Sequence, residues 1–250
     1  MVKMKAKTKR ISSFVKELNN NKFIKKLNKK NPFQVSKEQL SYIKKNYDII
    51  ISLNINDWFL ETNLLFQKTS IMYKILTDPN KSWENHSSKA EAFVDKFTER
   101  TKTIRFLDGH GRFLWHILNA MTTKSLDISN YIFEVYELDD YTYKWHQHFF
   151  PLHVKCIKGD ILTGDDLDDS VAVFLNFCGI TKNWIDGLDD YIEYYQDMIP
   201  LFITFDQRNQ IKIGDETLNS YLKNIAKNNG TYMSTYNKTI LSIECKNFKF

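Results

Sequence analysis

The sequence predicts an α/β fold in which a doubly wound, mostly parallel sheet follows a helical N-terminal region. From Thr103 onward, short β-branched or aromatic runs alternate with helical stretches. This alternation is typical of consecutive strand–helix–strand units. The last two runs, Gly230–Tyr236 and Thr239–Glu244, are separated by the short polar turn Asn237-Lys238. We therefore expect the sheet to end in an antiparallel hairpin.

The individual elements follow from hydrophobic spacing. Before the hairpin, the predicted strands are Thr103–Leu107, Tyr131–Leu138, His153–Ile157, Val171–Asn176 and Leu201–Phe205. The predicted helices between and after them are Phe113–Thr123, Tyr141–Phe149, Asn183–Met198 and Glu216–Lys227. Helices are also predicted earlier in the chain, over Ile11–Leu18, Ser36–Ile49, Trp58–Leu76 and Ser87–Arg100.

Charge divides the chain into a basic arm and an acidic body. Residues 1–45 hold 14 Lys/Arg and 2 Asp/Glu, whereas the remainder holds 21 and 28. We expect a basic, flexible arm over residues 1–33, a helical segment over 34–101 and the α/β domain over 102–250. Such an arm suits the phosphate backbone of nucleic acid, which is therefore a candidate partner. The alternative, which the composition favours equally, is a solvated Lys/Asn-rich tail.

Cysteine usage and hydropathy exclude several classes of protein. Cys156, Cys178 and Cys245 are widely spaced, and no Cys/His cluster suggests a zinc site. Reduced thiols fit an intracellular location. No apolar run has membrane-spanning length, and the lysine-rich start lacks the apolar segment of a secretory signal. We expect no membrane partner and no metal.

The turn after the first strand is the first candidate binding element. In doubly wound sheets, ligands bind at the carboxyl ends of the strands. Asp108, Gly109 and Gly111 follow the first strand and precede a helix. Glycines let the backbone approach a ligand closely, and a helix amino end favours a negative group. The alternative is an ordinary tight connection between strand and helix.

Acidic residues follow the second and third strands. Glu137 and Asp139 are candidate ligands of a ribose diol, because a carboxylate can accept two hydrogen bonds. Asp139 or Asp140 is alternatively the N-cap of the next helix. Asp160 and Ile161 are also candidate cofactor-binding residues. The Asp160 carboxylate can accept from an adenine amino group, and the alternative is a turn aspartate.

The segment after the fourth strand holds the candidate catalytic residues. Asn176 can orient a nucleophilic amino or hydroxyl group and also faces the expected cofactor. Phe177 can stack on a flat substrate. Cys178 is a candidate nucleophile, although a buried, inert cysteine is the better interpretation.

Taken together, these residues resemble the class I, Rossmann-like methyltransferase superfamily that uses S-adenosylmethionine, and its spermidine-synthase-like relatives. The resemblance covers residues 100–250. The motifs that carry it are Val135–Asp139, Phe149–Pro151, Val154 and Gly159-Asp160. Two further segments are similar to a divergent group of methyltransferase-like proteins found in phages and giant viruses, namely Phe174–Ile180 and Phe202–Arg208. It implies S-adenosylmethionine as cofactor, with Glu137 on the ribose and Asp160 on the adenine. It also implies a viral context.

The function that the resemblance implies is a methyltransferase, and the basic arm favours nucleic acid as its substrate. Two alternatives stay open. The glycine turn departs from the family, since Asp108 directly precedes Gly109 and Phe113 stands where a third glycine is usual. This departure favours a catalytically inactive protein on the same fold that binds nucleic acid or a protein partner. Aspartates around Asp165 and Asp186 hint at the polyamine pocket of an aminopropyltransferase.

Overall fold

Strands and helices alternate through most of the part of the chain that can be described. The computed structural model describes residues 52–68, 82–108, 112–163, 167–177, 182–195, 198–206, 212–213, 216–217, 220–221, 224, 232–237 and 240–244. The predicted basic arm and the predicted helices Ile11–Leu18 and Ser36–Ile49 lie outside these residues. So do Gly109, Gly111 and Cys178.

Five α-helices and nine strands have defined bounds in the described residues, and Ser220, Tyr221 and Asn224 are helical as well. The helices are α1 (Ile55–Lys68), α2 (Ser82–Val94), α3 (Arg112–Thr123), α4 (Asp140–Phe149) and α5 (Lys182–Tyr195). The strands are β1 (Thr103–Leu107), β2 (Ile132–Glu137), β3 (Val154–Lys158), β4 (Val171–Phe177), β5 (Leu201–Asp206), β6 (Lys212–Ile213), β7 (Glu216–Thr217), β8 (Tyr232–Asn237) and β9 (Ile240–Glu244). None of these helices combines the length and the apolar character needed to traverse a lipid bilayer.

Seven of these strands form one sheet in the order β3-β2-β1-β4-β5-β9-β8. The first five strands run parallel, and β9 pairs antiparallel with both β5 and β8. The chain moves outward from β1 in one direction, through β2 and β3, and then returns to start β4 on the other side. The strand order therefore reverses between β1 and β4, as in doubly wound folds. The predicted α/β, Rossmann-like sheet is confirmed.

The predicted strands agree closely with those of the structure. Each of the five parallel strands begins and ends within one residue of its predicted bounds, because both faces of the sheet are apolar and the runs are short. The terminal hairpin is present, with Asn237 opposite Ile240.

Three predicted helices differ from the structure by more than one residue at their start, and the helix predicted over Asn183–Met198 ends at Tyr195. The prediction of a helix over Glu216–Lys227 is wrong at its start, because Glu216 and Thr217 form β7 and pair with β6. Within the same predicted range, Ser220, Tyr221 and Asn224 are helical. Only Gly214 and Asp215 separate the paired residues, and Gly-Asp is a favoured two-residue hairpin connection. In the N-terminal region, α1 begins at Ile55 rather than Trp58, and the Asn54 side chain accepts a hydrogen bond from the Asp57 N–H (2.9 Å).

Helix α2 also differs from its predicted range. It covers Ser82–Val94 instead of Ser87–Arg100. After it ends, the Thr98 N–H donates to the Thr101 hydroxyl oxygen at 3.0 Å, and the Arg100 N–H donates to the Thr98 hydroxyl oxygen at 3.2 Å. Threonine side chains compete in this way for backbone groups that a helix would use, so the helix stops before Thr98.

The sheet buries a separate apolar cluster on each face. Side chains alternate along a strand, so Ala172 and Phe174 of β4 lie in the first core, whereas Val173 and Leu175 lie in the second. The first core contains residues of α1, α2 and α3, and the second contains residues of α5. The ring of Phe174 lies at the centre of the first core, 4.0 Å from Phe113, 5.3 Å from Phe93 and 5.4 Å from Phe202 between centroids.

The two N-terminal helices pack into the first core. Trp58 of α1 is fully buried, with its ring 5.6 Å from that of Phe149 and 6.2 Å from that of Phe150. Phe93 of α2 is also fully buried and contacts Phe174 of the central strand β4. Trp58 and Phe93 precede residue 102, where the α/β domain is predicted to start. The segment before that domain therefore contributes to the apolar cover of one face of the sheet.

Three charged side chains form a ladder across β1, β2 and β3. Arg105 and Glu134 are opposite each other in register and are both buried. The Arg105 Nε and Nη2 atoms donate to Glu134 Oε2 at 3.2 and 3.1 Å, and Lys155 Nζ donates to Glu134 Oε1 at 3.0 Å. Since a one-residue slip would separate these charges, the ladder favours the observed register.

Tyr191 of α5 generates a prediction for stability. Its side chain is buried in the second core, and its hydroxyl has no hydrogen-bond partner among the described residues. Burial raises the pKa of this phenol, and the nearby Arg105 offsets part of the effect. Above about pH 10 the unfolded state releases this proton while the folded state keeps it. The free energy of unfolding is therefore unaffected by this group below about pH 10 and falls as the pH rises further.

We expect Tyr191→Phe to raise the free energy of unfolding by about 1 kcal/mol at pH 7, because an unsatisfied buried hydroxyl is removed. The variant should also lose less stability than the wild type between about pH 9 and 11. Urea unfolding across this pH range measures both effects. Tyr194→Phe is the control, because Tyr194 is exposed. A Tyr191→Phe variant less stable than the wild type contradicts the interpretation.

Candidate functional site

Polar side chains from four strands meet at the carboxyl edge of the sheet, on the face of the first core. The buried side chains that these strands contribute to that core come from alternate positions: Ile104 and Phe106 of β1, Phe133 and Val135 of β2, Ala172 and Phe174 of β4, and Phe202 of β5. Because side chains alternate along a strand, the next positions on the same face are Asp108, Glu137, Asn176 and Thr204. Parallel register aligns the ends of these strands, so the four residues lie along one edge.

Asp108 is buried directly after β1. Its Oδ2 atom accepts a hydrogen bond from the Leu114 N–H at 3.0 Å. The carboxylate therefore holds the amino end of α3, where a negative charge is favoured by the helix dipole. Phe113, in the position of a usual third glycine, is buried against Phe174 in the first core. The departure at this position thus has a packing reason.

Glu137 ends β2 with its side chain fixed by the following turn. Its Oε1 atom accepts from the Asp139 N–H at 2.7 Å. Asp139 occupies the N-cap position of α4 without a side-chain capping bond, and its carbonyl accepts from the Tyr143 N–H at 2.8 Å. The exposed Asp140 instead pairs with Lys158, whose hydrogen bond and charge hold the pKa of Asp140 below its usual value.

Asp160 lies beside Glu137 because β2 and β3 are neighbours. The Gly159 N–H donates to the Glu137 carbonyl at 3.3 Å, which joins the ends of the two strands. The Asp160 side chain accepts from the Leu162 N–H at 3.0 Å and is partly exposed. Ile161 is fully buried in the second core. Its side chain therefore packs on the opposite face of the sheet from the first core.

Asn176 is held by two donors at the end of β4. Its Oδ1 atom accepts from Thr204 Oγ1 at 2.8 Å and from Lys89 Nζ at 3.2 Å. Thr204 is directly opposite Asn176 in the parallel pairing of β4 and β5. Phe177 is the last residue of β4 and pairs with Phe205 through the backbone. The predicted nucleophile Cys178, which follows it, lies outside the described residues.

Lys89 and Thr204 are site residues that the sequence reasoning missed. Lys89 comes from α2 and is 5% exposed, and Thr204 is 0% exposed. Each carries a signal in the sequence. Lys89 lies one helical turn before Phe93, so both share one face of the predicted helix. Thr204 interrupts a strand that is otherwise apolar. A polar residue on a buried face needs a partner, and these two share the amide of Asn176.

The edge therefore has two chemically different halves. The half over β1, β2 and β3 carries the carboxylates of Asp108, Glu137 and Asp160, which can accept hydrogen bonds from hydroxyl and amino groups. The half over β4 and β5 carries the ammonium of Lys89 and the amide of Asn176. In the described part of the chain, no group of three or more His, Cys, Asp or Glu is arranged to hold a metal ion.

Comparison with known proteins finds matches among solved structures alone, at low identity. No protein-family profile and no curated protein matches the chain. Solved structures that match include a protein from Corynebacterium glutamicum (TM-score 0.48, 11% identity, 84% of this chain and 98% of that chain). Others are the N-methyltransferase NodS from Bradyrhizobium japonicum WM9 (0.46, 11%, 70% and 100%) and the mitomycin 7-O-methyltransferase MmcR (0.41, 9%, 74% and 59%). The chain thus spans 59% of the length of MmcR. At this identity the likeness assigns no function to this chain.

The position of Asp108 yields a prediction for stability. We expect Asp108→Ala to lower the free energy of unfolding by about 1–2 kcal/mol, because the buried Leu114 N–H loses its acceptor. Asp190→Ala on the exposed side of α5 is the matched control and should change stability by less than about 0.5 kcal/mol. Chemical denaturation measures both. Equal stabilities of the two variants would refute the capping role.

Proposed function

We propose that the protein is a methyltransferase that uses S-adenosylmethionine. The observation that carries this proposal is that Glu137 and Asp160 both lie at the carboxyl ends of the neighbouring strands β2 and β3, which are joined there by the hydrogen bond from the Gly159 N–H to the Glu137 carbonyl. These strands lie on one side of the point between β1 and β4 where the strand order reverses. Ligands of doubly wound sheets bind at this point. Two carboxylates on neighbouring strands match an adenosine, whose ribose diol and amino group are hydrogen-bond donors.

Each residue of this pair has a separate task in the proposal. Glu137, already oriented by the Asp139 N–H, accepts hydrogen bonds from the ribose hydroxyls. Asp160 accepts from the adenine amino group, with its side chain oriented by the Leu162 N–H. The bound cofactor supplies an electrophilic methyl group on a sulfonium.

The rest of the chemistry is positioning. Methyl transfer requires a nucleophile aligned with the methyl group and largely free of water, and it needs no catalytic triad. Asn176 is suited to orient that nucleophile, because its side chain is fixed at the end of β4 by two donors. The proposal gives no role in the chemistry to Ile161, which packs in the second core.

The test is calorimetry with S-adenosylmethionine, S-adenosylhomocysteine and NAD. We expect both sulfur compounds to bind, and Glu137→Ala and Asp160→Ala to weaken binding about tenfold or more, because each removes a charge-assisted acceptor. Asp190→Ala, with its exposed carboxylate, should bind as the wild type does.

NAD shares the adenosine and lacks the sulfonium, so it separates this proposal from a dinucleotide enzyme. If neither sulfur compound binds at about millimolar concentration, the methyltransferase proposal is excluded. A dissociation constant of about 1 mM corresponds to a binding free energy of about −4 kcal/mol. Tighter binding of NAD than of S-adenosylmethionine would exclude it as well.

We further propose that the substrate is a nucleic acid bound in part by residues 1–33. This proposal rests on the excess of Lys and Arg at the N terminus, because cationic arms bind phosphate backbones by releasing counterions. Deletion of residues 1–33 should weaken the binding of an RNA or DNA oligomer and flatten the dependence of affinity on salt. Fluorescence anisotropy at several salt concentrations measures this slope. An unchanged slope would show that the arm binds no phosphate.

A further inference from the structure

The hydrogen-bond polarity of Asn176 is determined by its neighbours. A lysine ammonium can only donate, so the amide atom 3.2 Å from Lys89 Nζ has to be the oxygen. This argument fixes the orientation of the amide, which is otherwise ambiguous between its oxygen and its nitrogen. Thr204 Oγ1 donates to the same oxygen at 2.8 Å. Both acceptor directions of Oδ1 are therefore used.

Burial determines which half of the amide faces outward. Lys89 and Thr204 are buried, whereas Asn176 is partly exposed at the edge of the sheet. Because Oδ1 is directed toward the two buried donors, the Nδ2 group, with two N–H bonds, is the half that remains for a ligand. Asn176 thus offers donors at the end of β4, and the ammonium of Lys89 lies behind them.

This polarity distinguishes two kinds of methyl acceptor. A neutral amine has a single lone pair, which has to form the new C–N bond, so it cannot accept a hydrogen bond from Asn176 while it reacts. A hydroxyl or phenolate oxygen has further lone pairs, so it can accept a hydrogen bond and attack simultaneously. The positive charge of Lys89 also favours an oxyanion over a neutral or protonated amine.

We propose that Asn176 donates a hydrogen bond to a substrate oxygen that receives the methyl group, and that Lys89 and Thr204 are the residues that position its amide. This inference rests on the proposed methyltransferase function and narrows the methyl acceptor to a hydroxyl or phenolate oxygen, which in a nucleic acid is a sugar hydroxyl and not an amino group of a base. A lone pair on that oxygen forms the C–O bond while the C–S bond breaks and its electron pair stays on sulfur. The hydroxyl proton passes to solvent.

The test uses two probes of one shape, 4-nitrophenolate and 4-nitroaniline. They are titrated into the ¹⁵N-labelled full chain, and the side-chain amide signals of Asn176 are assigned from their loss in Asn176→Asp. We expect 4-nitrophenolate to shift these signals and to bind at least about tenfold more tightly than 4-nitroaniline, as for a charge-assisted hydrogen bond.

Three substitutions at two positions test the donor and its positioning separately from the fold. Asn176→Asp keeps an acceptor for Lys89 and Thr204 but replaces the N–H donors by an acceptor, so 4-nitrophenolate binding should fall about tenfold or more. Lys89→Met removes the ammonium and should also weaken it, whereas Lys89→Arg, which restores a donor, should recover part of the affinity. The controls are Asn130→Asp and Lys102→Met. Both residues are exposed and lie just before the amino ends of β2 and β1, away from the carboxyl edge.

The outcomes separate this inference from the proposed function. If 4-nitrophenolate does not bind, if 4-nitroaniline binds as tightly, or if Asn176→Asp binds the phenolate as the wild type does, the inference is overturned even where S-adenosylmethionine binds. If the phenolate binds as expected but calorimetry detects no S-adenosylmethionine, the methyltransferase proposal fails and the donor site at Asn176 stands.

Discussion

The register of five parallel strands is the constraint on which the candidate site depends. Each strand is short and apolar on both faces, so its side chains alternate between two cores. The same alternation aligns Asp108, Glu137, Asn176 and Thr204 on one face at the carboxyl edge. A slip of one residue in any strand would move its polar residue to the opposite face. The ion ladder of Arg105, Glu134 and Lys155 opposes such a slip.

The N-terminal helices connect packing to chemistry. Phe93 of α2 fills the first core against Phe174. Lys89, one turn earlier on the same helix, reaches Asn176 across 87 residues of sequence. The burial that fixes the helix therefore also fixes the ammonium at the end of β4. In this arrangement the helical segment is part of the site, and not merely a cover over the sheet.

The parts of the fold that could be predicted from the sequence are those determined by local patterns. The strands and the terminal hairpin are confirmed because alternation, β-branched runs and a short polar turn are properties of neighbouring residues. The location of Glu137 and Asp160 at the carboxyl edge could also be predicted, because each follows a strand of a doubly wound sheet, and ligands bind at the carboxyl ends of such strands. The assignment of ligands to these acids stays a prediction.

The remainder depends on contacts between distant residues. The contact of Lys89 with Asn176 is set by how α2 packs on the sheet, which no local pattern specifies. The end of α2 depends on competing threonine hydroxyls, and the start of the predicted helix at Glu216 was lost to the β6–β7 pairing. The capping role of Asp108 likewise required the position of Leu114 in three dimensions.

The central claim is that Glu137 and Asp160 together form an adenosine site at the edge of the sheet. A crystal structure of the full chain with S-adenosylhomocysteine tests it most directly. The account predicts ribose hydroxyls within about 3 Å of the Glu137 carboxylate and the adenine amino group at a similar distance from Asp160. Ligand density elsewhere on the protein, with both carboxylates in contact only with solvent and their own turns, would contradict the account.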